Sequence, residues 1–491
     1  MGAIAWDCLN GKMKKHRHYL SGAAFGLLFA TAASTLGAEL QDGAGNWHIA
    51  GIFTPSALRE SYYNATTGVS RFSDNSQDSA KAGEELADLF FAGGFAVQAS
   101  EFTMSSLGAL SGDVTGSAIL TSSKVIKAST GNGPVRLLVN ASADVMALAE
   151  SNAGDENEFT MLVRRPTAAV TADLAGTWRV FDFGMPDDLT ETYFNHQTQQ
   201  ARQGGSDDNA GPNEELVDVF FIGGFETLDV GVTMTSGGSF SGAFSGTAST
   251  TANGTVTLNP GDGTEVFQMN ASKNLMIRSL AQPVDNDQRF TALMKLPASL
   301  SLAELAGPWR FARLAIPNRL VETVYNGSTT RDIDSNENAM NGEEMVDVHF
   351  PGVFEAEQGV VGIGADGSLA AGFSGSVAVG ATPGQVTITV DGEALTFYVN
   401  DTKDVMLHVS ETGDEQQIIA VLRVPLDPMK IALDTDDGKL NLLWVGQSDV
   451  KLQKTSTLTG WSDVTSSTGQ SAFESSTTTA EFYRLVRETA Q

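Results

Sequence analysis

From residue 45 onward the chain is written in short runs where β-branched and aromatic residues alternate with polar ones, punctuated by Gly-Gly, Asn-Gly or Asp-Gly pairs. Between Thr177 and Leu296 these runs read TWRVFDF, ELVDVFF, TLDVGVTM, SFSGAFSGTAST, GTVTL, EVFQM, NLMIRSL and RFTALMKL. Alternation with a period of two, bounded by turn pairs, predicts strands joined by tight hairpins, about eight of them here. Two stretches break the alternation, TAAVTADLAG and ASLSLAELAG, and each predicts one short helical turn ahead of the next Gly-x-Trp.

The order of runs repeats, and self-similarity at a fixed period decides architecture before any single run does. Gly45-Asn46-Trp47, Gly176-Thr177-Trp178 and Gly307-Pro308-Trp309 stand at equal intervals, each followed by a phrase holding Leu58, Glu60 and Asn64, or Leu189, Glu191 and Asn195, or Leu320, Glu322 and Asn326. An acidic phrase comes next: GEELADLFFAGGF at 83–95, NEELVDVFFIGGF at 213–225, GEEMVDVHFPGVF at 342–354. Then come NASADVM, NASKNLM and NDTKDVM, starting at Asn140, Asn270 and Asn400, and each unit closes on a proline, Pro166, Pro297 or Pro425. Units of about 120 residues are domain-sized, so each is expected to own a core. Strict alternation in the acidic phrase places Glu215, Val217, Val219 and Phe221 on a core face, with Glu214, Leu216, Asp218 and Phe220 opposite.

The fold class that follows is all-β: three tandem antiparallel β-barrel or sandwich repeats at 39–166, 167–297 and 298–425, then a small C-terminal β-sandwich at 428–491. Residues 1–38 have the layout of a secretory signal peptide, with Lys14, Lys15 and Arg17 before an apolar run that is too short to read as a membrane span. The start is left open between Met1 and Met13. The only cysteine, Cys8, precedes the apolar run, so a processed chain has no disulfide, no thiol chemistry and no lipoprotein anchor. The chain carries 30 basic against 59 acidic residues, and processing removes four of the former and one of the latter. Such acidity repels nucleic acid and anionic lipid and favours cation binding.

A β-rich unit opening on Gly-x-Trp resembles the start of lipocalin-like barrels of the calycin group. In that family a basic residue of the last strand packs over the Trp; Arg164, Lys295 and Arg423, each two residues before the closing proline, match that place for Trp47, Trp178 and Trp309. The resemblance covers the two ends of each repeat and implies a small apolar ligand inside the barrel. Residues 428–488 resemble the β-sandwich modules that end many large secreted bacterial proteins, which implies an extracellular, cell-surface or periplasmic location and an accessory role.

Chemistry is sparse. Gly362-Ile363-Gly364-Ala365-Asp366-Gly367 spells a dinucleotide fingerprint but lies between strands, where it reads as a hairpin turn. Four histidines remain beyond the leader, at unrelated repeat positions. Glu84 with Asp88, and their counterparts, offer the carboxylate pair that a glycan hydrolase needs by residue type only. Asp332, Asp334, Asn336 and Asn338, with Glu343 at the twelfth position, have the oxygen spacing of a calcium loop, although Glu337 stands where the glycine belongs. The triplets at Asn140, Asn270 and Asn400 match glycosylation sequons and read better as Asx turns. The leading expectation is a secreted, non-catalytic binding or adhesion protein for a glycan or small apolar ligand, with calcium as the candidate cofactor and no nucleic-acid partner. The alternatives are an extracellular carboxylate-dependent glycan hydrolase and a structural spacer of the envelope or matrix. Oligomeric state is not legible in the sequence.

Overall fold

The computed structural model describes residues 43–487 apart from short internal stretches, the longest being 74–78, 283–286, 335–338, 425–430, 445–449, 465–471 and 476–480. The leader at 1–38 lies outside the described residues.

Each repeat builds two sheets. In the first, strand Gly45–Pro55 starts a barrel, after which the chain leaves to form a three-stranded sheet from Leu58–Asn64, Val69–Ser73 and Glu84–Phe91. It returns at Ala96–Met104 and meanders to Glu156–Arg164, which pairs with the first strand and closes eight strands into a barrel. The second repeat does the same between Gly176–Pro186 and Asp287–Lys295. In the third, eight strands from Gly307–Pro317 to Glu415–Arg423 keep that order, and among the described residues a single bridge, Ser368 to Ser376, joins the two edges. The repeats are therefore barrels or near-barrels and not sandwiches. Short helical turns at Thr171–Leu174 and Leu302–Leu305 lead into the second and third. The C-terminal module faces two three-stranded sheets across Leu442, Trp444, Val450 and Leu452.

The acidic phrase departs from strict alternation. Thr192 pairs with Asp218 and Tyr193 with Leu216, so Val217 is skipped, and the same slip occurs opposite Ser61/Tyr62 and Thr323/Val324. A β-bulge of one residue re-phases the pleat. Leu216 and Val219, 1% and 0% exposed, thus share the buried side, which corrects the face assignment drawn from alternation.

The expectation of separate cores holds for the barrel interiors, where Trp47, Trp178 and Trp309 each sit in an apolar cluster of their own repeat. It fails on the outside. A further cluster draws Ile52 and Phe159, Phe183 and Phe290, and Leu314 and Leu422 from all three repeats. The three small sheets pack together through Leu86, Leu216 and Met345. On the common axis Phe91, Phe221 and Phe350 form a triangle with ring centres 6.2, 6.1 and 6.0 Å apart. The repeats are arranged as a trimer written in one chain.

Two polar rings close this arrangement. In the first, Leu89 N donates to Glu191 Oε1 at 2.8 Å, Val219 N to Glu322 Oε1 at 2.7 Å and Val348 N to Glu60 Oε1 at 3.0 Å, so each repeat's glutamate caps the bulged strand of a neighbour. Tyr62 and Tyr193 donate to the second oxygens of Glu60 and Glu191; Val324 occupies the third position and leaves Glu322 Oε2 without a partner. In the second ring, Asp144 Oδ2 accepts from Asn270 Nδ2 and Ser272 N, and Asp404 Oδ2 from Asn140 Nδ2 and Ser142 N, while Asn274 Nδ2 donates to Asp401 Oδ1. Asn140, Asn270 and Asn400 are fully buried, and their Oδ1 atoms accept from the N–H groups four and five residues on, a wider loop than the Asx turn expected from the triplet.

Burial pushes Glu191 and Glu322 up to about 8, with Asp88 and Asp218 adding like charge. Glu60 moves in the same direction for the same reason, beside Asp347. The folded chain therefore keeps protons that the unfolded chain loses above the ordinary value of 4.5. The associated stability is full below that pH and is lost as pH rises toward about 8. Calorimetry should show the three repeats melting in one transition whose Tm falls by about 5 °C or more between about pH 5 and 8.5. Combining Glu60→Gln, Glu191→Gln and Glu322→Gln should flatten much of that slope. Independent transitions for the repeats would contradict the shared core.

Candidate functional site

The barrel interiors share a scaffold and differ in what fills them. Each opens on a glycine with φ near +140° (Gly45 144°, Gly176 143°, Gly307 138°). A Cβ at the first two would press on the aliphatic stems of Arg164, at 3.2 Å, and Lys295, at 2.7 Å. Trp47, Trp178 and Trp309 are fully buried, and their Nε1 atoms donate to Gly43 O, Leu174 O and Leu305 O at 2.7–2.9 Å. Lys295 Nζ lies 5.9 Å from the centre of Trp178, Arg423 Cζ lies 5.7 Å from that of Trp309, and Arg164 pairs with Trp47 in register. These residues shut one end of each barrel.

The first barrel holds a cavity of about 670 Å³. Met104, Leu110, Met146 and Leu162 line it toward the Trp47 end, Ala118 and Ala128 line its flank, and Phe53, Gln98, Ser100, Glu158 and Thr160 surround the other end. Small residues create the space. At Gly51 an added Cβ would meet Thr160 Oγ1 at 2.3 Å, and it is this hydroxyl that donates to Glu158 Oε1 at 2.7 Å.

The same rung is occupied in the other barrels. The position of Gly51, four residues after the Trp, holds Asp182 in the second repeat and Arg313 in the third; that of Glu158 holds Arg289 and Gln417. Arg289 Nη1 lies 2.6 Å from Asp182 Oδ2, Thr291 Oγ1 donates to Asp182 Oδ1, and Arg278 covers Phe267 at 4.8 Å. In the third, Arg313 Nε donates to Gln417 Oε1 at 3.0 Å and pairs with Glu355 and Glu357. Phe311 there takes the place of Ile49 and packs against Gly359. Among the described residues Glu158 has no basic partner. Burial, with Glu150 and Glu156 nearby, raises its carboxyl above the ordinary range against the opposing hydrogen bond from Thr160.

The acidic residues singled out in the sequence go elsewhere. Glu84, Glu214 and Glu343 each bind an arginine across the small sheet, Arg71, Arg202 and Arg331, at 2.8–2.9 Å. Asp88, Asp218 and Asp347 sit by the buried glutamates at the seams. None of the six lines the cavity. Of the calcium-loop residues, Asp332 accepts from Thr323 Oγ1 at 3.0 Å and Glu343 is turned to Arg331, whereas Asn336, Asn338 and the side chain of Asp334 lie outside the described residues. Among the described residues no group of three or more His, Cys, Asp or Glu side chains is arranged to hold a metal, and no helix is long and apolar enough to cross a membrane. The sequence reading missed Gly51, Thr160 and Glu158. The signal was present in the self-alignment, which shows Gly, Asp, Arg at one site and Glu, Arg, Gln at its neighbour.

The eight-stranded meander, opening on Gly-x-Trp and closing on a basic residue by the indole, is lipocalin-like in architecture. No protein-family profile matches the chain. No curated protein matches it. Structural similarity is found with transferrin binding protein B of Haemophilus parasuis, in a mutant form, at 6% identity over 77% of this chain and 76% of that one, with a TM-score of 0.17. The protein of the same name from Neisseria meningitidis gives 8% identity, coverage of 76% and 77%, and a TM-score of 0.15. Likeness at that level carries no argument about what this chain binds.

If the first barrel gave up a plug to become a cavity, the two interiors should answer differently to mutation. Arg289→Ala leaves Asp182 buried without its cation and should cost about 1–3 kcal/mol. Glu158→Gln removes a half-buried carboxylate that lacks one, and should leave the melting temperature unchanged or raise it. Thermal melts of the two variants at neutral pH check this.

Proposed function

We propose that the protein is a secreted, non-catalytic binding protein whose first barrel takes up one small, mostly apolar molecule, the second and third barrels serving as its scaffold. The observation that carries this reading is the cavity of about 670 Å³, walled by aliphatic and methionine side chains, in the one repeat that lacks the plug. A pocket of this size and character suits a small organic ligand. Most of the wall is apolar, which favours an apolar body over a glycan, and the carboxylates that a hydrolase would use are engaged in ion pairs or seams. Secretion rests on the leader-like segment and on the resemblance of the C-terminal module.

A neutral probe tests the reading. Decanol should bind the full chain with a Kd of about 10 µM or tighter by titration calorimetry. Ile49→Phe with Ala128→Leu introduces residues that the other repeats carry at the same two positions, Phe311 in the third and Leu258 in the second. This variant should fold, as judged by its melting curve, and lose the binding. Decanol bound equally by wild type and filled variant, or by neither, would overturn the proposal.

A further inference from the structure

We propose that the ligand of the first barrel is an organic amine: an apolar body that fills the cavity and a cationic nitrogen seated against Glu158, whose cross-strand neighbour Glu150 adds to the negative field. The inference rests on the reading of the first barrel as a binding site and adds the charge and chemical class of the ligand.

The argument is a missing countercharge. Glu150 and Glu158 face each other across one rung of neighbouring strands. In the second repeat that rung is Leu280 with Arg289, and in the third Ser410 with Gln417. Only the first repeat places two carboxylates there, and among the described residues neither is paired with Lys, Arg or His. Two like charges directly opposite on adjacent strands are destabilising, the more so when partly removed from water. Desolvation raises the carboxyls of both Glu150 and Glu158. Glu158 and Asp113 are the acidic side chains on the cavity wall, and Glu150 stands beside Glu158 outside that lining; one oxygen of Asp113 already accepts from Glu101 N. Where the second barrel meets the same problem it does so from within, with Arg289 between Asp182, Asp287 and Glu226. In the first barrel Glu158 itself stands at the place of Arg289 and Gly51 at that of Asp182, so the rung supplies no cation of its own and a bound ligand can supply one.

An organic cation fits this place better than a metal ion. A bare divalent cation needs oxygen ligands on most sides, whereas Phe53 and Leu148 share the wall with Glu158, and among the described residues no group of three or more His, Cys, Asp or Glu is arranged to hold a metal. An ammonium group on an apolar chain satisfies both halves, the carboxylates by charge-assisted hydrogen bonds and the cavity by burial of its hydrocarbon.

The test compares decylamine, decanol and decanoate on the full chain by titration calorimetry at about 0.15 M salt, where surface attraction to an acidic protein is screened. Decylamine should bind at least about tenfold tighter than decanol, and decanoate more weakly than either. Glu158→Gln with Glu150→Gln should bring decylamine down to the level of decanol. The filled variant, Ile49→Phe with Ala128→Leu, should bind no decylamine; if it does, the amine is adsorbing to the acidic surface and the inference falls. Equal affinities for amine and alcohol, or an amine preference that survives the double glutamine variant, would overturn the inference while decanol binding left the binding-protein reading standing. Failure of both ligands would overturn the two together.

Discussion

Strands that are apolar on both faces cannot border water, and this constraint shapes the molecule. In the first repeat Trp47 and Ile49 point into the barrel while Ala50 and Ile52 belong to the cluster shared by all three repeats, and every one of these side chains is less than a tenth exposed. A repeat of this kind alone would display an apolar wall large enough to drive association. Three of them on one chain cover one another, and the Phe91, Phe221, Phe350 triangle marks where their walls meet. Hydrophobic contact is not directional, so it does not choose the register of one repeat on the next. The glutamate ring at one end and the Asn/Asp ring at the other supply that register through hydrogen bonds with defined partners.

The three near-identical acidic phrases are explained by this closure. They provide the N–H groups that donate to the seam glutamates, the bulge and the axial phenylalanine, and each is needed once per repeat because a closed ring has three joints. Symmetry is required at the joints and not inside the barrels. The interiors have therefore diverged, from an Asp182–Arg289 pair in the second and an Arg313–Gln417 contact in the third to an open cavity in the first. Two copies fill this rung of the barrel with paired side chains, and the first leaves a cavity there.

Much of the architecture was legible in the sequence because it is written in local signals. Period-two runs and turn pairs announce strands, and the spacing from Trp178 to Lys295 announces a barrel that begins and ends at the same place. What failed to read had non-local causes. The bulge at Val217 depends on a partner strand that supplies one residue for two. The shared core depends on which outer faces meet, and a strand apolar on both sides looks the same whether its outer face meets a neighbour or a ligand. The partition of each repeat into a barrel and a small sheet was hidden because both are built from identical signals. The calcium spacing at Asp332 to Glu343 was legible as a pattern, yet Arg331 claims Glu343 across the strand pair. The cavity was within reach, since Gly51 against Asp182 and Arg313 is visible once the repeats are aligned. Recognising its meaning required seeing that the three side chains occupy the same rung inside a barrel.

The central claim is that one of three structurally equivalent barrels is the binding site, and stoichiometry tests it most directly. Native mass spectrometry of the full chain under saturating decylamine should show a single bound molecule per chain, and the same count should hold when Arg289→Ala disturbs the second barrel's plug without opening the first. Three equivalents on the wild-type chain, or one equivalent that persists after Ile49→Phe with Ala128→Leu fills the first barrel, would contradict the account.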